Sequence, residues 1–265
     1  GQYSGILNVD FDENGVVKQV KNNLKETTNR TKSPIIEYIK TKELGESPHI
    51  GTISQSQPIP PNRRIEPCGW TELMTDSMKE ELGVDIAIIN SANLRKVPKA
   101  GNLTMRDIQE SSPMKNKLFK TKITQRQLVE AFKNAAKNTM SAPDGYPGLL
   151  QASGLTYKID DTGELLEMNL ISKDGTKTPI DINNPSDDVT YSAVYDNFVA
   201  KSDGETPELA PKFPVEELDY DKDKLMADYI SKLPNKENLD VKIDGRLEIV
   251  QTSKQKPKDN NTRKI

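Results

Sequence analysis

The 265-residue chain predicts a mixed α/β protein of helix-covered sheets, on three observations. Apolar runs of strand length, such as Val84-Asp-Ile-Ala-Ile-Ile-Asn90, alternate with segments whose apolar residues recur at helical spacing, such as Trp70, Leu73, Met74, Met78 and Leu82. Helix punctuation is explicit: Thr124-Gln-Arg-Gln127 is a capping box, and Gly83 follows the Trp70 helix. The Val84 run ends in a polar loop, Asn90-Ser-Ala-Asn-Leu-Arg95, and in α/β proteins ligands gather where strands end in loops.

The elements follow in order. Leu7, Val9 and Phe11 alternate with Asn8 and Asp10, Asp12-Glu-Asn-Gly15 turns, and residues 16–20 return, so residues 1–20 hold a hairpin. An isolated hairpin is marginally stable, so this one is expected to belong to a larger sheet. Residues 21–32 are polar and read as a linker. Ser33-Pro34 opens a helix with Ile35, Ile36 and Ile39 on one face and Gly45 past its end. A short strand is expected at residues 50–54. Residues 57–67 carry four prolines and are irregular. Beyond the Asn90 loop, Thr104 caps a short helix, and residues 117–123 form a strand that enters the Thr124 box. The helix after that box carries Leu128, Ala131, Phe132 and Ala135 on one face, and its alanines allow close packing on a sheet. Residues 149–159 read as one strand with Gly154 inside it, the mark of a bulge or a close backbone approach. Asp160-Asp-Thr-Gly163 turns that strand into residues 164–171. A strand at 189–194 delivers Tyr195-Asp-Asn-Phe198 and Ser202-Asp-Gly204. An acidic loop at 205–218, a helix at 222–232 and a last strand at 239–250 complete the fold. Residues 251–265 are charged and core-free, and are expected to be disordered.

Composition excludes several functions. Net charge is −3 with lysines and acids interspersed, which argues against a nucleic-acid partner. No apolar run approaches a membrane span. The chain opens on Gly1, so a processed or partial polypeptide is expected. One cysteine, Cys68, excludes an internal disulfide and a cysteine-based zinc site. One histidine, His49, is the stronger exclusion, because zinc and dinuclear centres draw on several imidazoles. His49 has no nucleophile motif near it and reads as structural or surface.

Six pieces stand in an order that carries a resemblance. They are Ile88-Ile-Asn-Ser-Ala-Asn-Leu-Arg95, Gly101-Asn-Leu-Thr104, Ser112-Pro-Met-Lys-Asn116, Leu150-Gln-Ala-Ser-Gly-Leu155, Asn197-Phe198 with Ser202-Asp-Gly204, and Gly245-Arg-Leu247. Together they resemble the C-terminal domain of the 5′-nucleotidase family, which includes UDP-sugar hydrolases, over residues 33–250. The resemblance implies a four-layer α/β/β/α arrangement of mixed sheets covered by helices. It also makes residues 1–20 the end of a preceding metallophosphoesterase domain. In that family the N-terminal domain holds two divalent metal ions and a catalytic His-Asp pair, and the C-terminal domain binds the nucleoside. The resemblance therefore implies a substrate-recognition half of a two-domain phosphoester hydrolase. This chain would hold no catalytic residue, metal ligand or cofactor. Its partners would be a nucleotide or related small phosphoester and the N-terminal domain. Its location would be periplasmic, cell-surface or secreted.

Carried over by residue, Asn90 and Arg95 bracket the family's glycine-rich loop, with Asn93 inside it and Arg95 near the ribose or phosphate. Asp203 matches the acceptor of ribose hydroxyls, Phe198 one of two rings that sandwich the base, Met114 the position of the other, and Asn116 a contact to the base edge. Gly154 lies in a strand that approaches the site. Each has a structural alternative: Phe198 and Met114 as core, Asp203 as a turn cap, Arg95 in a surface ion pair. Ser91, Ala92 and Asn93 replace the family's glycines and bring side chains to a loop the family leaves bare. Two further readings follow from those losses: a non-catalytic surface or interaction module, or an enzyme acting on a cyclic nucleotide or another phosphoester.

Overall fold

The computed structural model describes residues 3–26, 47–55, 59–142, 144–145, 148–199, 206–219 and 221–252, in two units that divide after Ser47. In the first unit β1 (Tyr3–Phe11) and β2 (Val17–Glu26) pair antiparallel, with Val9 opposite Val20 and Phe11 opposite Val17. Asp12 shapes the turn: its Oδ1 accepts the N–H groups of Asn14 and Val16, each at 2.9 Å. β2 continues to Glu26, so residues 21–26 of the expected linker are strand; the rest of it lies outside the described residues. The ladder joins backbone to backbone, which lets polar Lys21, Asn22 and Asn23 extend the strand with their side chains exposed. The expected Ser33 helix, Asp203 and the tail from residue 253 lie outside the described residues.

The second unit is built on a five-stranded mixed sheet in the order β12-β6-β11-β4-β7. These strands are β4 (Ile86–Asn90), β6 (Leu118–Thr124), β7 (Leu150–Ser153), β11 (Thr190–Asp196) and β12 (Glu216–Leu218). β4 and β11 run parallel; every other neighbouring pair is antiparallel. All five residues of β4 are buried, because the sheet is covered on both faces. On one face Ile86, Ile88, Ala193 and Tyr195 pack with α3 (Gln125–Ser141) and a four-stranded sheet, β10-β9-β8-β14. That sheet comprises β8 (Leu155–Asp160), β9 (Leu165–Ile171), β10 (Lys177–Pro179) and β14 (Leu247–Val250). On the other face Ala87, Ile89, Leu118 and Val194 pack with α1 (Gly69–Leu82), α2 (Met105–Ser111) and α4 (Lys222–Lys232). A three-stranded sheet joins this second core, with β3 (His49–Gln55) between β5 (Gly101–Thr104) and β13 (Leu239–Asp240).

The helix signals act as expected. Thr124 Oγ1 accepts the Gln127 N–H at 3.0 Å, and the Gln127 side chain accepts the Thr124 N–H at 3.2 Å. Ala131, Ala135 and Ala136 bring α3 close enough for Phe132 to meet Tyr157 edge-on, at 4.9 Å between centroids. Thr104 and Asp107 form a second capping box at the start of α2. His49 is a surface tie, held by Asn102 and by Glu237 at 3.1 Å.

Two long strands divide. Residues 149–159 are β7 and β8, which belong to different sheets, and Gly154 is the joint. It adopts φ 85°, and a Cβ there would lie 2.0 Å from the Asp85 carbonyl oxygen. The expected strand at 239–250 likewise divides, β13 pairing with β3 and β14 with β8. The loop between them is anchored where Asp244 N–H donates to Glu72 Oε2 at 2.9 Å.

Gly154→Ala is expected to destabilise the fold by on the order of 3 kcal/mol or more, read from the urea midpoint, because both the left-handed φ and the contact must be relieved. Glu72 gives a pH signature. Burial is the main cause that lifts its carboxyl from 4.5 to about 7, against the Asp244 N–H. A raised folded pKa means the stability is fully present below the unfolded value near 4.5 and is lost as pH rises through 7. Glu72→Gln should abolish that fall, leaving the variant more stable than wild type above pH 7 by up to about 3 kcal/mol. Parallel stability curves between pH 5 and 8 for the two proteins would contradict this.

Candidate functional site

The parallel pair β4 and β11 ends at Asn90 and Asp196, side by side. Antiparallel β6 starts opposite Asp196, at Leu118, and antiparallel β7 starts opposite Asn90, at Leu150. Four strand ends and their loops thus meet at one edge, the kind of place where open α/β sheets bind ligands.

A buried carboxylate organises that edge. Asp196 is fully buried, and both its oxygens accept. Oδ1 takes the N–H groups of Phe198 at 3.1 Å and Val199 at 2.9 Å, which turns the chain so that Phe198 projects outward. Oδ2 takes the side-chain amides of Asn116 at 2.9 Å and Asn93 at 3.2 Å. Asn93 also donates to Asn90 Oδ1, and its own Oδ1 accepts from Lys222 Nζ at 3.1 Å. Lys222 donates besides to the Met114 carbonyl at 2.9 Å. Burial depresses the Lys222 pKa, and the charges of Asp196, Asp223 and Asp221 oppose that shift.

Above the network lies a cavity of about 180 Å³. Asn90, Asn93, Arg95, Met114, Asn116 and Phe198 all line it, so six of the eight residues proposed from sequence come together. Arg64 and Ala92 line it too. Met114 and Phe198 are 41% and 36% exposed, so neither is a core residue. Arg95 has no carboxylate partner among the described residues; burial and the charges of Arg63 and Arg64 lower its pKa. Like charges collected beside a cavity favour an anion there.

The sheet order arranges this lining. Asn116 precedes β6 and Phe198 follows β11, at one side. Arg64 belongs to the other side, where its carbonyl accepts the N–H of Leu149, just before β7, at 2.8 Å. Asn116 and Phe198 therefore enter the cavity from the β6–β11 side, and the Arg64 backbone enters from beside β7.

Gly154 does not reach this cavity. It sits at the far end of β7, where Ser153 pairs with Ala87, and its tight contact is with Asp85. It lines a different cavity of about 340 Å³, beside Asp76, Asp244 and Arg246. There Arg246 bonds Asp76 at 2.7 and 3.0 Å and also bonds Asp244, so its guanidinium is already engaged by two carboxylates. Asn93 lines the first cavity but commits both ends of its amide to the protein. Ser91 turns away and donates to the Arg64 carbonyl at 2.9 Å. Of the three side chains that replace glycines, Ser91 and Asn93 therefore brace the loop, and Ala92 adds one methyl group to the wall. The sequence reading missed Arg64, Asp196 and Lys222 as site residues. Arg64 lies in a proline-rich stretch without period, and Lys222 opens a helix where lysine ordinarily faces solvent. Asp196, a lone acid at the end of an apolar strand, was the one legible signal.

The family described as "5′-nucleotidase, C-terminal domain" matches residues 49–210. YfkN, a trifunctional nucleotide phosphoesterase of Bacillus subtilis strain 168, is 25% identical over 97% of this chain and 18% of its own length. Among solved structures, the 5′-nucleotidase precursor from Thermus thermophilus superposes with TM-score 0.70 and 20% identity, over 94% of this chain and 50% of that one. The NAD nucleotidase of Haemophilus influenzae gives 0.68 and 17%, over 95% and 54%. At these identities the solved structures bear on the fold alone. This chain spans less than a fifth of the curated relative (18%) and about half of the solved ones (50% and 54%).

Asp196→Ala is expected to cost on the order of 3–5 kcal/mol, because it strips the acceptor from four donors and leaves Lys222 buried with less compensation. Asn116→Ala, at a half-buried position, should cost about 1 kcal/mol. Equal denaturant midpoints for the two variants would show that Asp196 is not the hub.

Proposed function

Given that this chain belongs to the 5′-nucleotidase C-terminal-domain family, we propose that it is the substrate-recognition part of a nucleotide phosphoester hydrolase whose bond-breaking machinery lies in another domain. One observation carries the reading: a single cavity lined by an exposed ring, Phe198, and by Arg95 and Arg64, whose charges act on one another. A flat heterocycle stacks on Phe198 with the Met114 thioether beside it, and an anionic phosphate sits toward Arg95 and Arg64. Asn90 contributes a polar contact to the sugar region, and Asp203 is proposed as acceptor of its hydroxyls. The cavity is smaller than the ~300–1,000 Å³ of sites that enclose a whole ligand, which suits a site that holds part of its substrate and leaves the reacting group outside.

Family hydrolysis uses divalent metal ions. The residues of this chain do not fit such a centre: it has one histidine, and no group of three or more His, Cys, Asp or Glu among the described residues could hold a metal ion. The β1–β2 ribbon leaves Ile6, Leu7, Phe11, Val17 and Val20 exposed, which supports its assignment as the last piece of a preceding domain. No helix among the described residues is long and apolar enough to cross a membrane. A secreted, surface or periplasmic site of action is proposed from the family.

Calorimetric titration with nucleoside monophosphates and the matching nucleosides tests the reading. Phe198→Ala is expected to weaken both by about 3- to 10-fold. Arg95→Ala is expected to weaken the monophosphate by roughly 10- to 100-fold and to spare the nucleoside. The chain alone should release no phosphate. Wild-type affinity in both variants would remove the site.

A further inference from the structure

One amide in the cavity has its direction imposed from below. An asparagine offers an acceptor at one end and two donors at the other. Asn116 turns its Nδ2 to Asp196 Oδ2, at 2.9 Å. Asp196 is a pure acceptor here, with two backbone N–H groups on Oδ1 and two amides on Oδ2. Reversing Asn116 would press its carbonyl oxygen against a buried carboxylate and remove one of those donors. The Nδ2 end is therefore committed downward, and Oδ1 is the end that Asn116 has to offer the cavity it lines. Asn93 cannot supply the opposite polarity. Its Nδ2 serves Asn90 and Asp196, and its Oδ1 is held by Lys222 at 3.1 Å and Ser112 at 3.4 Å.

Asn116 also enters the cavity from before β6, next to Phe198, whereas Arg64, whose charge acts on Arg95, enters from beside β7. A ligand oriented by those charges brings its ring, not its anion, to Asn116. We propose that Asp196 is a positioning residue that fixes Asn116 as a hydrogen-bond acceptor, so that the cavity selects nucleotides whose base carries an exocyclic amine. This rests on the proposed nucleotide site. A base with hydrogen at that position leaves Oδ1 without a donor, and a base with a keto oxygen there sets acceptor against acceptor.

The test is calorimetric binding to the full chain. Adenosine 5′-monophosphate is compared with purine riboside 5′-monophosphate and inosine 5′-monophosphate, and cytidine with uridine 5′-monophosphate. Wild type is expected to favour the amine-bearing member of each comparison by about tenfold. Asn116→Ala should bring each ratio to within about twofold. Asp196→Asn, which lets the Asn116 amide turn, should do the same by weakening the amine-bearing nucleotides while strengthening the keto ones. Equal binding of adenosine and purine riboside monophosphates to wild type overturns the inference and leaves the nucleotide site standing. So does an Asp196→Asn variant that weakens amine and keto nucleotides alike, since a merely structural role lowers both. If Asp196→Asn does not fold, an Asn116→Ala ratio still near ten overturns it, and a collapsed ratio supports it. Failure of wild type to bind any of the five nucleotides overturns the site and the inference together.

Discussion

A carboxylate without access to water, at the carboxyl end of β11, is the constraint on which the site depends. Burying Asp196 is costly unless donors surround it, and the protein supplies four. Each donor belongs to a group that shapes the cavity: the turn that projects Phe198, the strut Asn93 and the wall residue Asn116. The Lys222 ammonium holds the opposite end of that strut and places a positive charge near the carboxylate. Neither ion of this pair is well accommodated alone, so the two helix and strand ends that carry them are held in one arrangement. This arrangement gives the cavity floor its geometry before any ligand arrives.

The location follows from how the sheet is wound. Only β4 and β11 run parallel in the five-stranded sheet, so only there do two carboxyl ends fall side by side. The residues just before those ends are locked in two cores. Tyr195 and Ile88 belong to the core under α3, and Val194 and Ile89 to the core under α1 and α4. Close packing on both faces leaves the strands little freedom to shift, and the polar residues that follow inherit that rigidity. The proposed site thus rests on rigid elements, with loops supplying its lining.

The two ends of β7 show what separates a structural charge cluster from a receptive one. At the Gly154 end Arg246 is enclosed by Asp76 and Asp244, so the guanidinium that lines the larger cavity there is already held by two carboxylates. At the Leu150 end the charges of Arg63 and Arg64 act against that of Arg95, and burial adds to the strain on it. Volume alone would rank these cavities the other way round. The kind of charge is the better guide, because an anionic ligand gains where cationic groups such as Arg95 and Arg64 line the same cavity.

Much of this protein was legible in one dimension. Local rules set the α1 and α3 helices, their caps at Gly83 and Thr124, the Asp12 turn and the irregular proline stretch, since each depends on neighbours within a few residues. The loop from Asn90 to Arg95 was visible as cavity lining because an apolar strand delivers it. What could not be read were the relations between distant segments. Gly154 looks like a bulge within one strand, yet it is the joint between two sheets, because its φ and its contact with Asp85 depend on where β4 runs. Lys222 looks like a solvated first-turn lysine, yet it is buried against Asn93, 129 positions away in sequence. Arg64 carries no periodic signal and enters the cavity because its backbone is held by Ser91 and Leu149. Propensity and spacing act over a turn or a strand; the direction of an amide, and the balance of charge around a cavity, are set by contacts that exist only after the chain has closed on itself.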